Sequence, residues 1–252
     1  MNKLQILVTN DDGVFAPGIR FLIDVMKEFG QVTVMAPNKP QSGVGHAITF
    51  ADPLKIKTIE KTDDYQEYSC NGTPVDCIKL AENIVYKKRP DLVVSGVNHG
   101  SNASINVIYS GTMAAVIEAC IDEIPAIGFS IDTYSSKVNL EPSRQYIRKI
   151  VQGIIDKGMP QDICLNVNIP TTEEIKGMKL SRQAKASWRE GFDSRTNPRG
   201  EDYHWLTGDF VVNDEGKDTD LEAIKNGYIS LVPIQVDLTA YKAMEHFRFL
   251  EA

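Results

Sequence analysis

A chain of 252 residues, 42% hydrophobic and 24% charged, holds enough apolar material for one large α/β domain or two small ones, and it has no tract biased enough to stay disordered. A formal net charge of -7 argues against a partner bound by neutralising many phosphates, so no nucleic-acid polymer is expected. No run of about 18 apolar residues occurs, and Lys3 is not followed by the apolar stretch and cleavage site of a signal peptide; the expectation is a cytoplasmic protein with no membrane partner.

The first element sets the pattern. Ile6-Leu7-Val8-Thr9 reads as a buried strand that breaks off into Asn10-Asp11-Asp12-Gly13. Successive strand residues point to opposite faces, so Asp11 and Asp12 converge on one cation only if the chain bends, which Gly13 permits. The same four residues also suit an ordinary tight turn, and alone they do not decide between the two. Pro17-Gly18 then opens a helix through Ile19, Leu22, Val25 and Met26, with Gly30 as its stop. A strand over 32–37 completes a β-α-β unit, for which parallel strands and a right-handed crossover are expected.

Residues 38–45 form a polar segment containing Ser42-Gly43, and 47–70 read as short strands or a hairpin turning around 61–64. Thr73 is placed to cap a helix that Pro74 begins. Residues 92–97 are a second buried strand, again ending in polar residues, Asn98 to Asn102. Ser110-Gly111-Thr112 precedes Met113, Val116 and Cys120, so Ser110 or Thr112 should cap a buried helix. A strand over 125–131, a helix over 146–155 and a strand over 163–170 follow. This alternation predicts an α/β fold, a mostly parallel sheet with helices on both faces.

After Pro170 the pattern changes. Residues 179–212 are polar and aromatic, with Trp188, Tyr203, Trp205 and Phe210, and read as a β-rich portion or long hairpin. A short helix over 218–226 and a late strand over 227–233 come next. Tyr241, Met244, Phe247 and Leu250 have helical spacing, which predicts a terminal helix docked on its own core or exchanged with a second subunit. The expected division is a catalytic core over 1–170 and a smaller extension over 171–252, in one continuous domain.

In a parallel sheet the strand C-termini share one edge, so Asp11-Asp12, Ser42, Asn98 with Asn102, and Ser110-Gly111-Thr112 are able to meet there. Carboxylates, a hydroxyl and an amide make an oxygen-only set suited to Mg2+ or Mn2+ rather than zinc, and the cysteines lack zinc spacing. Backbone N–H groups at the start of a helix attract anions, and Gly111 would let a phosphate approach closely. Neither a Walker P-loop nor a dinucleotide fingerprint is present. His99 is a candidate donor to phosphate or leaving group, and equally a structural histidine.

Taken together, Val8-Thr9-Asn10-Asp11-Asp12-Gly13, Ala36-Pro37 with Ser42-Gly43, Asn71-Gly72-Thr73-Pro74, Ser95-Gly96-Val97-Asn98, Tyr109-Ser110-Gly111-Thr112, Asn166-Val167-Asn168-Ile169-Pro170 and Thr219-Asp220 closely resemble the SurE survival-protein family of metal-dependent nucleotidases. The resemblance spans nearly the whole chain. It implies a Rossmann-like core and a C-terminal portion used in forming a homodimer or homotetramer. It implies hydrolysis of nucleoside 5′- and 3′-monophosphates with one divalent ion held by Asp11, Asp12, Ser42 and Asn98. Asn102 and Ser110-Gly111-Thr112 fall near the family's phosphate site, and His99 to Ile105 replaces its usual glycine-rich stretch. Asp11 and Asp12 are the expected catalytic carboxylates. Two rival functions stand beside this one: a phosphatase that uses Asp11 itself as nucleophile, and a nucleotide-binding regulator without catalysis.

Overall fold

Ile6 and Val8 join one buried apolar cluster while Leu7 joins another, because β1 (Leu4–Thr9) is covered on both faces. The computed structural model describes residues 3–86 and 88–251. In chain order, α1 (Pro17–Met26), β2 (Gly30–Pro37), the β3 (Ile56–Lys61) and β4 (Tyr65–Cys70) hairpin, and α2 (Pro74–Leu80) complete the first third. Then come β5 (Leu92–His99), the one-turn α3 (Asn106–Tyr109), α4 (Gly111–Ile121), β6 (Ala126–Ile131), α5 (Arg144–Lys157) and β7 (Ile163–Ile169). The remainder is β8 (Met178–Leu180), β9 (Ala186–Thr196), β10 (Asp202–Val212), α6 (Asp220–Lys225), β11 (Ile229–Gln235) and the short α7 (Tyr241–Met244).

Among the described residues, nine strands form one sheet in the order β3-β4-β2-β1-β5-β6-β7-β11-β8. Pairing is parallel except for β3 with β4 and β11 with β7, so the fold is α/β with a mostly parallel sheet. Ile19, Leu22 and Val25 of α1 and Ile147 and Ile150 of α5 fill the cluster on one face. Cys77 and Ile78 of α2 and Met113 and Val116 of α4 fill the other. All four cysteines are buried and free. No helix among the described residues is long and apolar enough to cross a membrane.

The strand order reverses at β1, which has β2 on one side and β5 on the other. Beyond the carboxyl ends of two such strands lies the crevice where open α/β sheets bind ligands. Asp11 and Asp12 follow β1, and Asn98 closes β5, so topology brings the two predicted clusters to that crevice.

Two expectations are corrected. Gly30 does not stop α1, which ends at Met26; it begins β2, where a Cβ would fall 2.2 Å from the Leu4 carbonyl oxygen. The helical spacing at the C-terminus yields only α7 and a 3-10 segment over Glu245–Leu250, with Tyr241, Met244, Phe247 and Leu250 exposed rather than docked on the chain's own core. The β9–β10 pair is a two-stranded sheet apart from the main one, joined along its whole length from Ala186 with Val212 to Thr196 with Asp202.

Candidate active site

The turn after β1 is locked from both ends. Asn10 donates from Nδ2 to the Gly13 carbonyl at 2.9 Å, and Gly13 takes a φ of +100° that disfavours any residue with a Cβ. The Gln41 N–H donates to the Asp11 carbonyl at 2.7 Å, which ties the loop carrying Ser42 to this turn.

Asp11 is 3% exposed and receives the Thr112 hydroxyl proton at Oδ1 across 2.6 Å. Burial pushes its carboxyl up to about 6, against the pull of the Thr112 hydrogen bond and with the negative charge of Asp12 adding to the rise. Asp12 accepts the His99 backbone N–H at Oδ2, at 3.2 Å, and His99 Nδ1 stands 3.2 Å from the same oxygen. Among the described residues, neither aspartate has a Lys or Arg within ion-pair distance; the ion pair recorded for Asp12 is the one to His99.

Asn98 is aimed by a bulge. Ser95 pairs with Gly128 and Asn98 with Ser130, so β5 holds one residue more than β6 over that interval. Its Nδ2 donates to the Gly100 carbonyl at 2.8 Å, which leaves Oδ1 as the end available to a ligand. Asn102 is held by a buried chain of amides: its N–H donates to Asn168 Oδ1 at 2.8 Å, its Nδ2 to Ser130 Oγ at 2.6 Å, and its carbonyl accepts from Asn166 Nδ2 at 2.9 Å. Asn166 and Asn168 are therefore structural partners of the site, and in the sequence their alternation on one strand face was the available signal.

Ser110, not Thr112, caps α4: its Oγ accepts the Met113 N–H at 3.0 Å. Gly111 is a glycine for a reason other than phosphate approach. A Cβ there would fall 2.8 Å from the Asp11 Cβ, so the helix start and the carboxylate turn are packed against each other.

A cleft of about 690 Å³ opens beside these groups and is lined by Asp11, Ser42, Asn98, Asn102 and Ser110. Asp12, Gly111 and Thr112 do not line it: Thr112 is fully buried behind Asp11, and Asp12 meets the group through His99, which does line it. Two carboxylates with no Lys or Arg beside them among the described residues, an amide oxygen and a hydroxyl suit a hard divalent ion, which would supply positive charge there. No group of three or more His, Cys, Asp or Glu side chains placed to hold a metal ion by themselves occurs among the described residues. The far wall was not anticipated from sequence. It includes Tyr134 and, from the β9–β10 hairpin, Trp188, Glu190, Leu206, Thr207 and Gly208.

Residues 6–190 match the family described as Survival protein SurE. A 5′-nucleotidase SurE from Christiangramia forsetii is 57% identical over 247 residues, covering 96% of this chain and 95% of that protein. One from Flavobacterium psychrophilum is 56% identical over 248 residues, covering 97% and 96%. The crystal structure of the SurE protein from Aquifex aeolicus aligns with a TM-score of 0.84 at 38% identity, over 98% of this chain and 99% of that one. The likeness thus extends through both the sheet and the hairpin, and the chain belongs to the SurE survival-protein family.

Proposed function

We propose that this protein is a divalent-metal-dependent phosphomonoesterase that releases phosphate from nucleoside 5′-monophosphates, and from 3′-monophosphates as well. The observation that carries the reading is a cleft lined by Asp11 and by Ser110, the cap of α4, with Asp12 joined to it through the lining residue His99 and with no Lys or Arg partner on either aspartate among the described residues. The names of the relatives, 5′-nucleotidase, point to the same substrate class.

Asp11, Asp12, Ser42 and Asn98 would hold the ion. When bound, it would supply Lewis-acid polarisation of a phosphate oxygen and a water of lowered pKa. The chain's own residues do the rest. Thr112 holds Asp11 in one orientation, and His99 does the same for Asp12, whose carboxylate takes the proton as water attacks phosphorus in line with the departing nucleoside oxygen. The Ser110 oxygen is used in capping, but its hydroxyl proton remains for a phosphate oxygen. With the remaining Nδ2 proton of Asn102, that hydroxyl would form an anion site whose hold grows stronger as charge builds on the equatorial oxygens. A role for Asp11 as nucleophile is disfavoured by its burial and by the hydroxyl already bonded to it.

The test is phosphate release from a panel of nucleoside monophosphates with Mg2+, Mn2+ or chelator in parallel. Release in a metal and its loss in chelator are expected. Nucleotide binding without release in either metal would overturn the proposal in favour of a regulator. We place the protein in the cytoplasm and infer a homodimer or homotetramer, an assembly supported by the exposed apolar side chains on the hairpin and the C-terminal segment.

A further inference from the structure

Phosphate and a metal ion fill only part of a cleft of about 690 Å³, and the rest is walled by residues with no task in hydrolysis. On the hairpin, Trp188 and Glu190 are two apart on β9 and share a face. Gly208 pairs with Glu190 and Phe210 with Trp188, so these belong to that face too, as does Leu206. The face is unusual for an exposed ribbon: it offers Trp188, Leu206 and a carboxylate, with no side chain at 208.

The Trp188 ring is held in place. Its Nε1 donates to Asn106 Oδ1 at 2.9 Å, and Asn106 Nδ2 donates to the Ser101 carbonyl at 3.3 Å, within the loop that carries Asn98 and Asn102. Phe210 packs at a tilt against the indole, with ring centroids 5.2 Å apart. The indole is nonetheless 40% exposed and lines the cleft. Tyr134 adds a second exposed ring, resting where a Cβ on Gly100 would come within 2.7 Å of it. A positioned, half-open aromatic plane linked to the phosphate loop is built for a flat π-system. The carboxylate of Glu190 repels phosphate and accepts hydrogen bonds from hydroxyls, so it favours the nucleoside end of a substrate and turns the phosphate toward α4.

Resting on the nucleotidase reading, we propose that this face of the β9–β10 hairpin is the nucleoside subsite: Trp188 stacks on the base and Glu190 accepts from the ribose hydroxyls. The discriminating measurement compares AMP with ribose 5-phosphate, which lacks the base. In Trp188→Ala the ratio of their kcat/KM values should fall about tenfold or more, and in Trp188→Phe it should stay within about threefold of wild type. A ratio in Trp188→Ala within about twofold of wild type overturns the subsite. Wild-type protein that cleaves neither AMP nor any other nucleotide would instead remove the nucleotidase reading, so the two failures are distinct. A second measurement does not depend on the alanine variant folding. Trp205→Phe leaves Trp188 as the sole indole in a chain with two Trp residues. With Mg2+ present, adenosine should quench that fluorescence saturably and ribose should not; no quench at millimolar adenosine overturns the proposal.

Discussion

Thr112 gives its hydroxyl proton to Asp11, and that single contact sorts the polar residues of the cleft into those that meet a ligand and those that hold them. Asp12→Asn should remove more than about 99% of phosphate release, with the far-ultraviolet spectrum unchanged, because the carboxylate held by His99 is the proposed proton acceptor. Near-normal turnover would refute that assignment. Asp11 carries a pH prediction. Its carboxyl is raised from 3.8 to about 6 by burial, so between those values the metal-free folded state holds a proton that the unfolded chain has lost. The stability this provides is present at low pH and disappears as pH climbs through about 6, a swing of about 3 kcal/mol. Asp11→Asn should therefore be more stable than metal-free wild type near pH 8, and nearly equal to it at about pH 4, in denaturant titrations. Divalent metal should reverse the order at high pH, since it binds the ionised form. The residue types here were legible in the sequence; the reason for Gly111 was not, because it depends on the Asp11 Cβ, a hundred positions away in the fold's contact and nowhere near it in spacing.

Secondary elements were read well where local rules govern them. Thr73 and Pro74 start α2 with a full capping box, since caps are short-range chemistry. The spacing of Tyr241, Met244, Phe247 and Leu250 pointed to a helix docked on its own core or exchanged with a second subunit; only the first is overturned, because periodicity reports an apolar stripe and not what covers it. Trp188 was visible as an aromatic in a β-rich stretch, yet its hydrogen bond to Asn106 crosses 82 positions and leaves no local trace. Asp220 was visible in the Thr219-Asp220 motif, but what it holds was not, since its contacts reach back 36 and 116 positions. Its carboxylate accepts the N–H groups of Ser104 at 2.7 Å, Ala184 at 3.0 Å and Leu221 at 2.8 Å, joining the site loop, the foot of the hairpin and the start of α6. Asp220→Ala strands the buried N–H groups of Ser104 and Ala184 and should cost about 3 kcal/mol, measured by chemical denaturation, with faster proteolysis in the hairpin. A loss below about 0.5 kcal/mol would show that the joint is not structural.

Most apolar side chains lie inside the two sheet-face clusters; exposed ones such as Phe15, Phe50 and Ile84 are scattered, whereas Trp205 and Leu206 on the hairpin and Phe247, Phe249 and Leu250 on the final segment are gathered. Sedimentation should show a dimer or tetramer, and Phe247→Ser with Phe249→Ser should lower the mass. A wild-type monomer at micromolar concentration would exclude the assembly. Topology was readable at this scale because strands alternate with helices, whereas the insertion of β11 between β7 and β8 was not, since an antiparallel return leaves no mark in the pattern. That return has a consequence for variation. The chain leaves the sheet at Leu180 and re-enters it at Ile229, and between those points Ala184 and Asp220 are joined by one carboxylate, so the hairpin outward of that joint is an excursion closed at its base. Its length and side chains are free to change, and with them the kind of molecule admitted, without disturbing the proposed centre at the sheet edge.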